Sequence, residues 1–264
     1  MAYHFHKDRK LYFEHQRQNC LNYVIPFVRK KYDIPAGGRV LEIGCGEGGV
    51  LQAFIDEGFE GVGVELSEGK FEQASENLEE AIKAGRASLS RKNIYDADFE
   101  NELGKFDLVV LKDVIEHIHD QPKLMQEMHK LLKPNGHIFF GFPPWQMPFG
   151  GHQQIANNKL LSKLPFYHLL PYSIYKTILR AGGESQAIID DLVEIKDTGI
   201  SLERFERISK AANYEIANKT LFLINPIYKY KFGLEPREQL PLIGNIPWIR
   251  NYYTTCGFYL LKSK

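Results

Sequence analysis

The sequence predicts an α/β protein built on a doubly wound, mostly parallel sheet, with a helical lid inserted after the fifth strand. Between residues 38 and 142, short β-branched and aliphatic runs alternate with amphipathic segments. The first of these runs ends in a glycine-rich turn at residues 44–49. The alternation stops at residues 143–200, which are rich in Pro, Gly, Tyr, His and Leu and are too long for an ordinary connection.

The elements can be placed in order along the chain from these periodicities. Ser67 is predicted to cap the second internal helix, and Gly85 to end it. The fifth strand is followed by the lid, and the last two strands are expected to form an antiparallel pair at the edge of the sheet. The predicted helices cover residues 8–31, 50 onward, 67–84, 121–133 and 201–212, and the predicted strands 40–43, 61–64, 87–90, 106–111, 137–142, 215–224 and 253–261.

Composition limits the classes of protein that the chain can represent. The 264 residues suit one large α/β domain or one domain with a cap. We expect residues 1–37 to form an N-terminal helix that covers the site and residues 38–264 to form the main domain. The 33 basic and 33 acidic residues balance, which argues against nucleic acid as a partner. Three cysteines without metal-binding spacing and the lack of a membrane-length apolar run or signal-like N-terminus predict a cytoplasmic protein with reduced thiols.

The glycine-rich turn predicts a site for a nucleoside-bearing cofactor. Glycines let a backbone approach a ligand closely, and Glu65, at the end of the second strand, can accept both hydroxyls of a ribose. The spacing of Gly44, Gly46 and Gly49 also fits nicotinamide dinucleotide enzymes. Glu42, two positions before the first glycine, extends the pattern to E-x-G-x-G-x-G.

With Glu42 included, the chain resembles the class I S-adenosylmethionine (SAM) methyltransferases. Three further motifs occur in the family's order: Glu65-Leu66, the run from Phe106 that ends in Glu116-His117-Ile118, and Leu131-Leu132-Lys133-Pro134-Asn135-Gly136. The resemblance extends to ubiquinone-pathway and small-molecule O-methyltransferases of this class. It implies a seven-stranded Rossmann-like sheet, SAM as the cofactor and S-adenosylhomocysteine as its product.

The resemblance also implies a role for individual residues in binding SAM. Tyr12 or Arg17, on the N-terminal helix, could reach the methionine carboxylate. Glu65 is expected on the ribose, with Leu66 as its hydrophobic neighbour, and Asn93 and Ile94 are expected at the adenine. At the methionine end we expect Glu42, which also anchors the glycine turn, and the carbonyl of Lys112, which would accept from the ammonium. The backbone of Gly44, Cys45 and Gly46 would face the cofactor, and His117 would lie beneath the site.

His152 is the residue that we expect to act on the methyl acceptor. It follows two glycines just beyond the fifth strand, and a neutral imidazole there could take a proton from a hydroxyl. The spacing of Asp113, Glu116 and His117 is similar to a divalent-metal motif of small-RNA 2′-O-methyltransferases and some ubiquinone-pathway enzymes, with His152 as a further ligand. No metal is assigned on this basis, because the "EHI" turn also occurs in relatives that use none.

The sequence therefore predicts a SAM-dependent methyltransferase whose acceptor is a small molecule or a sugar- or lipid-linked intermediate, methylated on oxygen. Aromatic and aliphatic residues at 160–179 suggest a hydrophobic acceptor or a lid edge at a membrane, although lid packing alone also explains them. A non-catalytic SAM-binding scaffold and a metal-assisted RNA 2′-O-methyltransferase are the alternatives. The sequence predicts no oligomeric state.

Overall fold

The computed structural model describes residues 9–96 and 98–264. In this part of the chain eight strands form one sheet in the order β3-β2-β1-β4-β5-β8-β6-β7. Strands β1 to β5 pair in parallel, whereas β8 runs antiparallel to both β5 and β6. The strands are β1 (Arg39–Ile43), β2 (Glu60–Val64), β3 (Ala87–Ser90), β4 (Phe106–Lys112), β5 (Leu132–Phe142), β6 (Tyr214–Ile224), β7 (Arg237–Glu238) and β8 (Cys256–Ser263).

The predicted α/β fold class is confirmed, with one more strand than the seven expected. The additional strand, β7, has two residues and pairs with the end of β6 at the sheet edge. Chain order reverses between β1 and β4, since β2 and β3 lie on one side and β5 on the other. Such a switch point opens a crevice beyond the carboxyl ends of the two central strands.

Helices cover both faces of the sheet and form the lid. They are α1 (Arg9–Asn19), α2 (Ile25–Arg29), α3 (Gly49–Asp56), α4 (Glu68–Asn77), α5 (Glu79–Lys83), α6 (Phe99–Leu103), α7 (Gln121–Glu127), α8 (Tyr172–Ala181), α9 (Gln186–Thr198), α10 (Leu202–Ala211), α11 (Ile227–Phe232), α12 (Pro241–Gly244) and α13 (Ile249–Tyr253).

Three predicted helices differ from the structure. The helix predicted over residues 121–133 ends at Glu127, and a 3-10 turn at Met128–Leu131 leads from it into β5. A π-helical turn at Cys20–Val24 joins α1 to α2, and the predicted residues before Arg9 lie outside the described residues. The helix predicted over residues 67–84 divides at Leu78 into α4 and α5. Ser67 occupies the N-cap position, but the prediction that its side chain caps the helix is wrong, since it makes no capping hydrogen bond.

Alternation along the central strands sends neighbouring side chains to opposite faces of the sheet. Leu41 and Val109 join one buried cluster together with Phe205 of α10, whereas Val40 and Leu108 join the other, which includes residues of α2 and α3. Both faces of the sheet are therefore buried, as expected for a doubly wound fold. All three cysteines are buried and free, and no helix within the described ranges is both long and apolar enough to cross a membrane.

Residues 143–200 form three 3-10 turns followed by α8 and α9. These elements have a small core of their own, centred on Tyr175, Leu179 and Leu192. The segment returns to the main domain where the amide of Trp145 donates to the carbonyl of Ile200 at 2.8 Å. The segment thus begins and ends at adjacent points beyond β5, which holds it over the carboxyl end of the sheet.

Candidate active site

A cleft of about 250 Å³ lies at the carboxyl ends of β1 and β4. We call it the glycine-turn cleft, because the turn after β1 forms its floor and α1 forms a wall. It brings together five of the residues predicted to bind a cofactor: Glu42, Gly44, Cys45, Gly46 and Lys112. It also includes Tyr12, one of the two α1 residues predicted to reach the methionine carboxylate.

The glycine turn needs glycine for two separate reasons. Gly44 and Gly46 have φ of 70° and 54°, in the left-handed region that other residues rarely adopt. A Cβ atom built on Gly46 meets no heavy atom within 4 Å, so this position faces open space. At Gly49 a Cβ atom would come within 2.4 Å of the carbonyl oxygen of Phe13, so α1 can approach α3 only because this residue has no side chain.

Glu65 joins the ends of β1 and β2. Its Oε2 accepts a hydrogen bond from the amide of Gly46 at 2.9 Å, and its Oε1 accepts one from the amide of Ser67 at 2.8 Å. Both carboxylate oxygens are thereby fixed in orientation, and each retains a lone pair for a further donor. Leu66, the predicted hydrophobic neighbour, is 54% exposed beside it.

Glu42 is buried at the base of the cleft, with an exposed fraction of only 3%. Its Oε2 has no hydrogen-bond partner among the described residues. Burial raises the pKa of this carboxyl, and the nearby ammonium of Lys112 acts in the opposite direction. A buried carboxylate oxygen without a partner is costly, so the cleft fits a ligand that brings a hydrogen-bond donor to Glu42.

The side chain of Lys112, and not only its carbonyl, belongs to the cleft. The Nζ atom lies 2.6 Å from the carboxylate of Asp113, and the side chain is 5% exposed. Burial opposes the charge on Lys112, but Asp113 reverses the effect and raises its pKa. In the same way, burial raises the pKa of Asp113, and Lys112 more than offsets this and lowers it.

Two helices that are distant in sequence meet above this ion pair. The Nζ of Lys231, on α11, lies 5.1 Å from the ring centroid of Tyr12 on α1. Burial and repulsion by Lys112 lower the pKa of Lys231 to about 8, while Asp113 acts against them. Arg17, the other α1 candidate, instead pairs with Asp56 at 2.5 Å and with Glu14, away from the cleft.

Asn93 and Ile94, predicted to contact adenine, do not line the cleft. The side chain of Asn93 accepts from the amide of Tyr95, which fixes a turn after β3. Ile94 instead borders a second cleft of about 300 Å³ between this turn and the end of α7. The contact of these two residues with adenine therefore stays a prediction. It depends on how far a bound ligand would extend past Glu65.

On the other side of Asp113 lies a cluster that we call the Glu116 cluster: Glu116, His117 and His152. One ligand atom from each residue lies within 4.8 Å of the others, and the two imidazole centroids are 5.0 Å apart. Neither carboxylate oxygen of Glu116 has a hydrogen-bond partner in the described part of the chain. His117 thus lies with His152 rather than in the glycine-turn cleft.

Burial favours the neutral form of both imidazoles of the Glu116 cluster. Burial, followed by the proximity of His117, lowers the pKa of His152 to about 4, and burial also lowers the pKa of His117. Burial and the charge of Asp113 raise the pKa of Glu116. His152, within the cluster, has φ of 52°, and Asp113, beside it, has φ of 57°; both adopt a backbone conformation that costs energy for residues other than glycine.

Sequence reasoning missed the side chains of Lys112 and Asp113 as parts of the cleft and missed Lys231 altogether. The first two follow a recognisable strand, and their charge at a strand end is a usable signal. Lys231 lies more than a hundred residues away, in a segment with no motif. Only the packing of α11 against α1 brings it to the site.

A model of the methyltransferase domain matches residues 12–162, which is more than half of the chain. The ubiquinone biosynthesis O-methyltransferase of Vibrio cholerae is 30% identical over 120 residues, which cover 46% of this chain and 46% of that protein. The protein of the same name from Methylococcus capsulatus is 30% identical over 105 residues, 40% of this chain and 43% of that one. The chain spans about half the length of these relatives.

Solved structures of low sequence identity share the fold. A putative sarcosine dimethylglycine methyltransferase from Galdieria sulphuraria superposes with a TM-score of 0.61 at 13% identity, over 94% of this chain and 86% of that one. The magnesium protoporphyrin IX methyltransferase of Synechocystis, solved with bound S-adenosylhomocysteine, gives 0.56 at 13% identity, over 100% and 89%. The chain belongs to the methyltransferase family whose domain model it matches.

Proposed function

We propose that this methyltransferase takes its methyl group from SAM and transfers it to an oxygen of a small-molecule or sugar- or lipid-linked acceptor. One observation supports this most directly. Asp113 borders two sites at once, since it lines the glycine-turn cleft and lies beside the Glu116 cluster. A cofactor held in the cleft with its ammonium at Asp113 would thus have its methionine part, which carries the reactive sulfonium, beside the Glu116 cluster.

Different residues of the cleft would bind different parts of SAM. Glu65 would accept both ribose hydroxyls, with Gly46 holding its carboxylate in place. Glu42 and Asp113 would face the methionine ammonium, and Lys112 with Lys231 its carboxylate. The sulfonium of SAM supplies a methyl group that is already activated, so the protein needs mainly to align acceptor and methyl in a dry pocket.

At the acceptor end we propose that His152 receives the hydroxyl proton. Its neutral imidazole has a free lone pair at physiological pH, and Asp113 favours the imidazolium that proton transfer would create. His152 adopts a left-handed backbone conformation, which is costly for a residue other than glycine and is a feature found at functional sites. His152 would then be the catalytic residue, and His117 a neutral neighbour that positions it.

A second account of the same reaction is favoured by Glu116. Two imidazoles and a buried carboxylate without hydrogen-bond partners among the described residues are a donor set that suits a divalent cation. In that account Glu116, His117 and His152 would hold the cation, which would lower the pKa of an acceptor hydroxyl. The two accounts differ in the role of His152, not in the reaction.

Calorimetry tests which cofactor binds, and product analysis tests which atom of the acceptor is methylated. We expect S-adenosylhomocysteine to bind and NAD⁺ to give no heat; the reverse would contradict the proposal. Release of S-adenosylhomocysteine from SAM is then measured with matched phenols, alcohols and amines. Turnover of hydroxyl acceptors, with an O-methyl product identified by NMR, supports oxygen as the acceptor atom, whereas turnover of amines alone would overturn it.

A further inference from the structure

Two fully buried polar side chains, Gln153 and His168, tie the loop that carries His152 to the lid. The Nε2 atom of Gln153 lies 2.8 Å from Nδ1 of His168 and 3.1 Å from the carbonyl oxygen of Pro148. The Nε2 atom of His168 lies 2.8 Å from the carbonyl oxygen of Trp145. We call these three hydrogen bonds the His168 bridge. Neither side chain belongs to the glycine-turn cleft or to the Glu116 cluster, so the bridge has no part in the reaction as proposed so far.

The His168 bridge fits only one arrangement of protons. The amide nitrogen of Gln153 must face Pro148, because a reversed amide would place its oxygen against the carbonyl oxygen. That nitrogen can only donate, so Nδ1 of His168 accepts, and Nε2 carries the proton that the carbonyl of Trp145 accepts. Burial lowers the pKa of His168 to about 4, which agrees with a neutral ring. Each nitrogen of this imidazole therefore has a defined role in holding the loop.

The two glycines before His152 allow the bridge to form. A Cβ atom on Gly150 would collide with the carbonyl of Trp145, and one on Gly151 would collide with the Cβ atom of His168. The ring of His168 stands edge-on to the ring of Trp145, with centroids 4.6 Å apart. The loop and the lid turn are therefore in direct contact immediately before His152.

His152 needs support from its surroundings because its backbone conformation is unfavourable. Its φ of 52° lies in the left-handed region, where a residue other than glycine persists only if the structure around it enforces the conformation. Its amide donates to the carbonyl of Phe149 at 3.1 Å, which closes a tight turn. Gln153 is the next residue, so an anchor on its side chain limits the torsions through which His152 could relax.

We propose that His168 is a positioning residue for His152, acting through Gln153 to hold the loop that presents the imidazole to the acceptor. The inference rests on the proposed role of His152 in methyl transfer. His168 itself would touch neither the acceptor nor the cofactor. The lid would then do more than cover the site, since a movement of the turn that carries His168 would also move His152.

Two substitutions of His168 separate its two hydrogen bonds. In His168→Asn the side-chain oxygen is bonded to Cγ, as Nδ1 is, and can still accept from Gln153. In His168→Gln the amide nitrogen lies as many bonds from Cβ as Nε2 does and can still donate to Trp145, but the acceptor at Nδ1 is lost. Gln153→Met removes the link from the other side. The control is His129→Gln, since Nε2 of His129 lies 2.6 Å from the carbonyl oxygen of Ala212, before β5 and away from the site.

Site-resolved hydrogen exchange in the full chain measures the loop without any acceptor. The amide of His152 donates to Phe149, so its exchange rate relative to that of Val109, in the buried strand β4, follows local opening of the loop. We expect about tenfold faster relative exchange in His168→Gln and Gln153→Met, and wild-type rates in His168→Asn and His129→Gln. Equal rates in the Asn and Gln variants of His168, or an unchanged rate in Gln153→Met, would overturn the proposal.

Turnover of a hydroxyl acceptor found in the screen above then tests the effect on His152. We expect kcat to fall about tenfold in His168→Gln and to be restored in His168→Asn, with KM and the affinity for S-adenosylhomocysteine unchanged. Thermal unfolding shows which variants are folded. A change in KM alone, or an equal loss of kcat in His129→Gln, would make the role of His168 purely structural and overturn the proposal. The expected exchange pattern without turnover of any hydroxyl acceptor would support the bridge and contradict the proposed methyl transfer, so the two failures can be told apart.

Discussion

The ammonium of Lys112 lies 2.6 Å from the carboxylate of Asp113, its neighbour in the chain. Adjacent residues on a strand normally point to opposite faces of a sheet. Here β4 ends at Lys112, and Asp113 takes a left-handed conformation with φ of 57°. That turn brings both side chains to the floor of the glycine-turn cleft, where they present opposite charges side by side.

Asp113→Asn should weaken binding of S-adenosylhomocysteine by about 1.5–3 kcal/mol, the range for a hydrogen bond to a charged group. The amide cannot pair with a methionine ammonium and leaves the buried Lys112 without its anion. Calorimetry measures the change, and Asp33→Asn, at an exposed position before β1, is the matched control. Equal affinities for the Asp113 variant and the wild type would remove Asp113 from the binding site.

Glu65→Ala should cost a similar amount, about 1.5–3 kcal/mol of binding free energy, because both ribose hydroxyls lose their acceptor. The variant also leaves the amide of Gly46 without its partner. Glu60→Ala, at the opposite end of β2, is the control and should bind as the wild type does. Unchanged affinity in Glu65→Ala would mean that the ribose lies elsewhere.

Local patterns predicted the parts of the site that depend on one strand and the turn after it. Glu42 lies near the end of β1, the glycine turn follows β1 and Glu65 follows β2, and the structure brings them to one edge of the sheet. The position of Lys231 depends on the packing of α11 against α1, which no local pattern encodes. Ser67 occupies the N-cap position, but its side chain makes no capping hydrogen bond, and its amide donates to the side chain of Glu65 two residues earlier.

The same distinction explains the errors in the fold. Short apolar runs and glycine positions predicted the parallel strands, since β2 and β4 are almost continuously buried. β7 has only two residues and exists because the chain passes the edge of β6. Such a strand is too short for any periodicity to reveal.

Lys231 should make cofactor binding depend on pH in the alkaline range. Burial, and then repulsion by Lys112, lower the pKa of this lysine to about 8, so its ammonium is charged below that pH and neutral above it. If the ammonium faces the methionine carboxylate, affinity for S-adenosylhomocysteine falls as the pH rises through about 8. Calorimetry over pH 6.5 to 9.5 should show this fall in the wild type, whereas Lys231→Arg, charged throughout, should bind without it. A parallel decline in both proteins would assign the effect to another group.

Gly49→Ala should destabilise the protein and loosen α1. A Cβ atom there would lie 2.4 Å from the carbonyl oxygen of Phe13, so α1 must move, at a cost of about 1–3 kcal/mol for overpacking. Denaturant unfolding measures the loss. Gly69→Ala, on α4, has no heavy atom within 4 Å of the new methyl group and should be neutral or stabilising. Equal stability of the two variants would show that α1 is not tightly packed on α3.

His152→Ala should lower turnover of a hydroxyl acceptor by about 10²–10⁴-fold if the imidazole receives the proton. Affinity for S-adenosylhomocysteine should stay unchanged, because the glycine turn, Glu42 and Glu65 are intact. His119→Ala, an exposed histidine after the same turn, is the control. If His152 is instead a ligand in the Glu116 cluster, the wild type should lose activity in chelator and recover it with added divalent cation. Titration with Mn²⁺ or Zn²⁺ should then show a site that His152→Ala and Glu116→Gln both weaken. Full activity of the variant and of the chelated wild type would exclude both roles and leave alignment of the acceptor as the source of catalysis.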